Sequence, residues 1–335
     1  MTTKVSILVA VRNEEATILD CLNALDALDF PKEELQILIG DDDSEDQSYA
    51  IIENFIRQKP HFQLISIQQN QELKAKTNVL AQLAHLAQGE FWLITDADIC
   101  VPKNWIKKMT QQAQNPNVGI VTGFTKIQTS DFSSMYSFFL SHFQATDWLF
   151  VLGIIQQSAD FGFETTTMGN NMLIRKTAYW QTGGYEKIPF SVTEDFALFQ
   201  EVRKLGWDFR QVCDLDVLAN SKPMPNWTKL LSQRKRWTTG AMKLPFFWLL
   251  IAFSYLGFLP LLVGIFFINP VFCGFLWLFR LFLISYFLIK YGRKTKQGFL
   301  LYFLPFYDLL SLVFNSIWLF YFLLPIRFDW KSRKY

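Results

Sequence analysis

Between residues 5 and 123, short apolar, β-branched runs alternate with stretches whose apolar side chains recur at helical spacing. Residues 5–10, 35–40, 62–67, 91–95 and 118–123 read as buried strands. Between them, 15–28 sets Ile18, Leu19, Leu22, Leu25 and Leu28 along one helical face, and 77–87 repeats that pattern. Strand, helix, strand in this order predicts right-handed βαβ units, hence a mostly parallel α/β sheet with helices on both faces. Ligands of such sheets sit beyond the carboxyl ends of the strands.

Beyond residue 130 the pattern changes. In 131–162, Phe132, Tyr136, Phe138, Phe139, Phe143, Trp148, Leu149 and Phe150 are interleaved with serines, His142, Gln144 and Asp147. The stretch is amphipathic and reads as too polar to span a bilayer. It either lies along the membrane interface, lining an acceptor channel, or packs as a helix on the sheet. Three apolar segments follow Lys243. Residues 244–268 and 270–289 are each long enough to cross a hydrocarbon core, which takes roughly 20 helical residues. The third, 298–326, holds Pro305, Asp308, Asn315 and Pro325 between two basic clusters. Lys290, Arg293, Lys294 and Lys296 precede it, and Arg327, Lys331, Arg333 and Lys334 follow. One span here would place one cluster outside, against the positive-inside tendency. The prediction is two spans, then a re-entrant or interfacial hairpin bent near Pro305 or the Asn315–Ser316 pair.

Composition sharpens this division. The 335 residues include 34 Phe and 11 Trp, and mean hydropathy is +0.14, too apolar for an ordinary soluble enzyme. A net charge of +2 conceals a split: residues 244–335 hold two acidic and nine basic side chains, whereas 1–243 hold 28 and 23. The acidic head lacks the basic stripe that phosphate contacts require, so a nucleic-acid partner is excluded as the first reading. The N-terminal apolar run is too short for a signal peptide, which predicts a cytoplasmic head on an inner-membrane, multi-pass tail. The four cysteines form no C-x-x-C pair and the three histidines show no ligand spacing, so neither a disulfide framework nor a zinc site is indicated. The expected organisation is a catalytic domain 1–225, an interfacial helix 226–243, a membrane region 244–326 and a basic tail 327–335.

The strand ends carry the candidate chemistry. Arg12-Asn13-Glu14-Glu15 follows the first strand, Asp41-Asp42-Asp43-Ser44-Glu45-Asp46 the second, and Asp96-Ala97-Asp98 the fourth. Neither G-x-G-x-x-G nor a GKS/T loop is present, so a dinucleotide fold and a P-loop kinase are unsupported. Carboxylates converging on a phosphate ligand would repel it unless a divalent cation lay between them. Mg²⁺ or Mn²⁺ suits such hard oxygen ligands. Each acid taken singly fits equally well as a helix or turn cap; three clusters at three strand ends fit a ligand site better.

These stretches carry a resemblance. VSILVAVRNEE, ILIGDDDSED, KAKTNVL and ITDADICVPKNW, then GNNMLIRKTAYWQTGGY, Thr193-Glu194-Asp195 and Gln233-Arg234-Lys235-Arg236-Trp237, resemble family-2 glycosyltransferases of the GT-A fold, from Val5 to about Trp237. The V-D-D-G-S signature of that family departs here, with Asp43 in place of Gly; Asp too can take left-handed backbone angles. The resemblance implies a donor site of Ala10, Asn13, Glu14, Asp42, Lys76 and Asp96, with Asp42 accepting from the base's imide N–H. It implies Asp98 as metal ligand in a D-x-D element, and Asp195 as catalytic base in a T-E-D element. Glu194, Gln233, Arg236 and Trp237 fall on the acceptor and diphosphate side, the last three in a Q-x-x-R-W motif. Each motif is weak alone; four in the family's order are specific. The chemistry suits them, since a carboxylate can take a proton from an attacking hydroxyl and the field at a helix start favours its ionised form. A basic interfacial helix meeting anionic lipid is the competing account of Arg234, Lys235 and Arg236.

The implied activity is inverting transfer of a hexose from a UDP-sugar to a lipid or lipid-linked acceptor, as in ceramide glucosyltransferase and its bacterial relatives. A processive cellulose-, chitin- or poly-N-acetylglucosamine-type synthase is the alternative, though such enzymes usually add N-terminal spans and further helices. A catalytically silent membrane scaffold is the third reading, disfavoured by intact Asp42, Asp98, Asp195 and Arg236.

Overall fold

All five expected strands form, each a short apolar run whose ends are set by charged or turn residues. They are β1 (Val5–Val11), β2 (Leu35–Asp41), β3 (Phe62–Ser66), β4 (Phe91–Asp96) and, after the two-residue β5 (Ile99–Cys100), β6 (Val118–Gly123). The computed structural model describes residues 4–132, 134–163 and 166–325, with the backbone of 329–330 and 333–334. Six further strands follow: β7 (Thr125–Ile127), β8 (Asn171–Arg175), β9 (Asp208–Val212), β10 (Ala219–Ser221) and the two-residue β11 (Asp329–Trp330) and β12 (Arg333–Lys334). The main sheet runs β3-β2-β1-β4-β8-β6-β9. β1, β2, β3 and β4 pair in parallel, as do β6 and β9, while β8 is antiparallel to β4 and β6.

Two compact units emerge. The first comprises 1–125 and 166–222, the second 126–165 and 223–335. In the first, helices α1 (Ile18–Asp26), α2 (Ser48–Ile56), α3 (Ala75–Leu86) and α4 (Trp105–Gln112) cover the sheet. Ile18, Cys21, Leu22 and Leu25 of α1 join Ile7, Val9, Ile37 and Ile39 in one core, while Leu19 is 49% exposed and outside it. The opposite face meets α3 so closely that a Cβ on Gly40 would lie 2.5 Å from Val79. Asn171, at the head of β8, fastens three segments: it accepts from the Trp105 indole at 2.8 Å and donates to the carbonyls of Phe124 (2.9 Å) and Val217 (2.8 Å).

The second unit holds α5 (Met135–Asp160); the first also holds α6 (Lys176–Gln181) and α7 (Glu194–Lys204). The remaining helices of the second unit are α8 (Trp227–Ala241), α9 (Phe246–Leu256), α10 (Phe258–Ile268), α11 (Pro270–Lys294) and α12 (Leu304–Leu323). Residues 126–165 therefore group with the C-terminal helices and interrupt the continuous 1–225 domain expected from sequence. α5 packs on α11 and α12, and by length and composition it is apolar enough to cross a membrane, contrary to the expectation. So are α11 and the segment Gly298–Leu323.

The bend also sits elsewhere than expected. α12 runs unbroken past Asn315, because Pro305 occupies its first turn, where no helical N–H is needed. The first apolar segment breaks instead: α9 and α10 meet at 72° across Gly257. Pro260 explains the restart, since a continuous helix would need its missing N–H to bond the Leu256 carbonyl. The side chains of the expected basic tail, 327–335, lie outside the described residues.

Asn171→Ala removes the acceptor of the buried Trp105 indole and the side-chain donor to the Val217 carbonyl, while the Phe124 carbonyl keeps the Ala219 N–H at 2.9 Å, so it is expected to destabilise the first unit by about 2 kcal/mol. A thermal or denaturant midpoint indistinguishable from wild type would show that those segments are held by other contacts.

Candidate active site

The register brings three strand ends level: Ala10 of β1 faces Gly40 of β2 on one side and Asp96 of β4 on the other. The loops beyond β1 and β2 are laced together. Asn13 takes left-handed backbone angles (φ 53°), and its Oδ1 accepts from the Glu45 N–H at 2.8 Å. The N–H groups of Asn13 and Glu14 donate to the hydroxyls of Ser44 (3.1 Å) and Ser48 (2.7 Å). Asp43, standing where the resemblance expects Gly, adopts φ 60°, the left-handed conformation that turn demands. The Arg12 guanidinium donates to the carbonyls of Asp42 and Asp43. Asp42 is buried, its N–H bonded to the Val11 carbonyl at 2.9 Å. The loop is thus set by its neighbour and not by a glycine.

On the β4 side, Asp96 and Asp98 are part-buried. The Cys21 thiol is pushed up by its burial, then by Cys100 and the carboxylates of Asp98, Asp96 and Glu14. Three of the expected site acids therefore act on one buried thiol beneath the crevice. Lys76, in the first turn of α3, places its ammonium 2.6 Å from Asp96 and 2.9 Å from Glu194. Burial works to discharge it, but Asp96, Glu194 and Asp195 outweigh that and hold it protonated.

Asp195 stands at the second position of α7, after the N-cap Thr193, whose own side chain makes no cap bond. Its Oδ2 accepts from the Gly169 N–H at 2.6 Å and its Oδ1 from the Phe196 N–H at 2.8 Å. It does help cap the helix, as the alternative account of this residue held, yet its proton affinity is altered as well. Burial and then the adjacent Glu194 push its carboxyl up to about 6, against the pull of Lys76 and the two N–H donors. Only glycine fits at 169, since a Cβ there would lie 2.7 Å from the Asp195 Cβ.

Nine expected site residues thus belong to the first unit: Ala10, Asn13, Glu14, Asp42, Lys76, Asp96, Asp98, Glu194 and Asp195. Gln233, Arg236 and Trp237 lie on α8 in the second. There Arg234 and Lys235 are buried, paired with the Asp147 carboxylate (2.7 Å) and with the carbonyls of Tyr321 (3.0 Å) and Leu324 (2.7 Å). That excludes these two from a lipid-facing basic stripe. Sequence reading named Arg12 among the strand-end residues and Asp147 in the 131–162 stretch but gave neither of them, nor Gly169, a role; for Asp147, an acid inside an apolar helix was the available signal.

Among the described residues no three His, Cys, Asp or Glu side chains gather as a metal cage. The part-buried Asp98 carboxylate, a hard oxygen donor, fits a cation that takes one or two protein carboxylates and completes its shell on a phosphate.

A family model described as Glycosyl transferase family 21 matches residues 1–335. Beta-monoglucosyldiacylglycerol synthase of Trichormus variabilis is 25% identical over 236 residues, 70% of this chain and 48% of that protein. Poly-beta-1,6-N-acetyl-D-glucosamine synthase of Staphylococcus epidermidis is 26% identical over 213 residues, 62% of this chain and 47% of that one. The chain spans about half the length of these curated relatives. Among solved structures, the mannosyltransferase PcManGT of Pyrobaculum calidifontis, determined with GDP-Man and Mn²⁺, aligns with a TM-score of 0.51 over 72% of this chain and 63% of its own, at 16% identity. That likeness establishes the GT-A fold.

Gly169→Ala is expected to displace the Asp195 carboxylate and lower any turnover that uses it by roughly 10²-fold, the usual effect of a misplacement near 1 Å. Full turnover in this variant would show that the contact is not needed.

Proposed function

Because the chain belongs to glycosyl transferase family 21, we propose that it transfers a sugar, with inversion, from a UDP-sugar to a lipid or lipid-linked acceptor at the cytoplasmic face of the cell membrane. The observation that carries this reading is the carboxylate of Asp195, held by the N–H groups of Gly169 and Phe196, within electrostatic reach of the Lys76 that pairs with Asp96, and raised to about 6. The acceptor hydroxyl oxygen bonds to the anomeric carbon as the bond from that carbon to the diphosphate breaks. UDP departs with the electron pair, and Asp195 takes the hydroxyl proton.

Ala10, Asn13, Glu14 and Asp42 would line the nucleotide, with Asp42 accepting from the uracil imide, and Asp96 would face the ribose or diphosphate. Lys76, already protonated beside Asp96, brings positive charge to the same end of the sheet. Asp98 would hold Mg²⁺ or Mn²⁺, which when bound supplies charge against the departing diphosphate. On α8, Arg236 suits the diphosphate and Trp237 the acceptor, with Gln233 on the same helix.

The lipid acceptor is supported by the diacylglycerol-glucosylating relatives and by helices able to lie within a bilayer. The poly-N-acetylglucosamine relatives, at similar identity, favour a processive synthase as the second reading. Membranes containing the full chain, supplied with nucleotide sugars, native lipid extract and Mn²⁺ or Mg²⁺, are expected to yield a singly glycosylated lipid by mass spectrometry. A polymer would overturn that preference.

Asp98→Ala and Asp195→Asn should each remove turnover by on the order of 10³-fold or more, within the range for lost acid–base or charge-stabilising groups. Only Asp98→Ala should also weaken metal-dependent UDP binding. Transfer unchanged in Asp195→Asn would point back to an inactive scaffold. Because the base must be ionised, turnover should fall as pH drops through about 6, whereas an ordinary aspartate would sustain it to about pH 4. A kcat/KM profile flat down to pH 5 would remove Asp195 from that role.

A further inference from the structure

Four helices of the second unit meet at one carboxylate. Asp147 on α5 is 1% exposed, and its Oδ2 accepts from the Arg234 guanidinium of α8 at 2.7 Å. Its Oδ1 accepts from the hydroxyls of Tyr255 on α9 (3.2 Å) and Tyr307 on α12 (3.0 Å). The residue after it, Trp148, packs its ring 4.8 Å from that of Trp237, and the Arg234 guanidinium lies over the same Trp237 ring at 4.6 Å. Neighbours on α5 thus grip residues 234 and 237, one helical turn apart on α8. Two further ties fix this helix: Lys235 on the carbonyls ending α12, and the Trp318 indole on the Thr238 hydroxyl at 3.0 Å.

Packing alone does not call for such a cluster. A buried ion pair is commonly no more stabilising than apolar side chains of equal volume, whereas it does impose one register. An acid within a helix this apolar is a functional signal by default. On the reading that α8 serves the acceptor and diphosphate, we propose that Asp147 is a positioning residue. It fixes the roll of α8 through Arg234, and so sets the one direction in which Arg236 and Trp237 are presented to the reacting groups.

The test uses the full chain in detergent micelles, with UDP-glucose and dioleoylglycerol as substrates and UDP as the binding probe. Asp147→Asn keeps the shape and an acceptor for the tyrosines but removes the charge facing Arg234. It is expected to lower kcat by roughly 10²-fold while the UDP dissociation constant changes less than about twofold, because the nucleotide residues belong to the other unit. Trp237→Ala should lower kcat similarly, and the double variant should fall little further, since the two act as one. A lowered thermal midpoint with kcat intact, or single-variant losses that multiply in the double, would overturn the proposal and leave the transferase reading standing. Transfer unaffected by Trp237→Ala would instead remove α8 from the acceptor side, and Asp147 with it.

Discussion

Carboxylates brought together in one crevice need positive charge among them, and beside Asp96 and Glu194 the Lys76 ammonium supplies it. It joins Asp96 at the end of β4 to Glu194 at the start of α7. Two like charges about 4 Å apart repel by about 4 kcal/mol at an effective dielectric near 20, a large part of a domain's whole stability. Strand register decides where the acids end up, since Ala10 is level with both Gly40 and Asp96. Lys76 then sets a positive charge beside Asp96 and Glu194 and pulls down the proton affinity of Asp195. It does so from α3, the helix that covers the sheet closely enough to require glycine at position 40.

The second unit meets the opposite difficulty, a few charges amid aromatic and aliphatic side chains. It buries Arg234 with Asp147 and Arg280 with Asp308, and gives each carboxylate neutral donors besides its guanidinium, which lowers the cost of burying charge. Arg234 and Asp147 are joined by two tyrosine hydroxyls. Arg280 and Asp308 pair in the same way, with the Trp277 indole on Asp308 at 2.8 Å and the Ser311 hydroxyl on Arg280 at 2.7 Å. The four charges thus link the helices carrying them at chosen positions along otherwise apolar contacts, which alone would allow several registers.

Five of the main sheet's seven strands were legible because a buried strand is a continuous apolar run whose end a charged loop marks, and the expected 118–123 is β6 to the residue; β8 and β9 were not expected. The left-handed Asp43 was legible too, from one departure in a known signature. What escaped was the partnering of polar groups. Residues 131–162 look amphipathic, yet Thr146 donates back to the His142 carbonyl, Gln144 pairs with Met224 and Asp147 takes three donors, so the polar face is satisfied inside the unit. Alternation of polar and apolar letters cannot separate a solvated face from a face with internal partners. Prolines misled for a related reason: Pro305 lies in a first turn and bends nothing, while Pro260, three residues past Gly257, begins a new helix.

The environment of Asp195 is tuned between opposing demands. An aspartate in water binds a proton too weakly to be an effective base at neutral pH, and one buried without donors would hold a proton and have no base to offer. Burial and Glu194 push the proton affinity up; Gly169, Phe196 and Lys76 pull it back, and the balance falls near 6. A general base works best when its affinity lies near the working pH. Four of these five influences come from named groups of the first unit, and three of those lie outside the T-E-D triplet: Gly169 before β8, Lys76 of α3 and Phe196 next along α7. The triplet in the sequence marks where the base is; the fold around it determines how strong a base it can be.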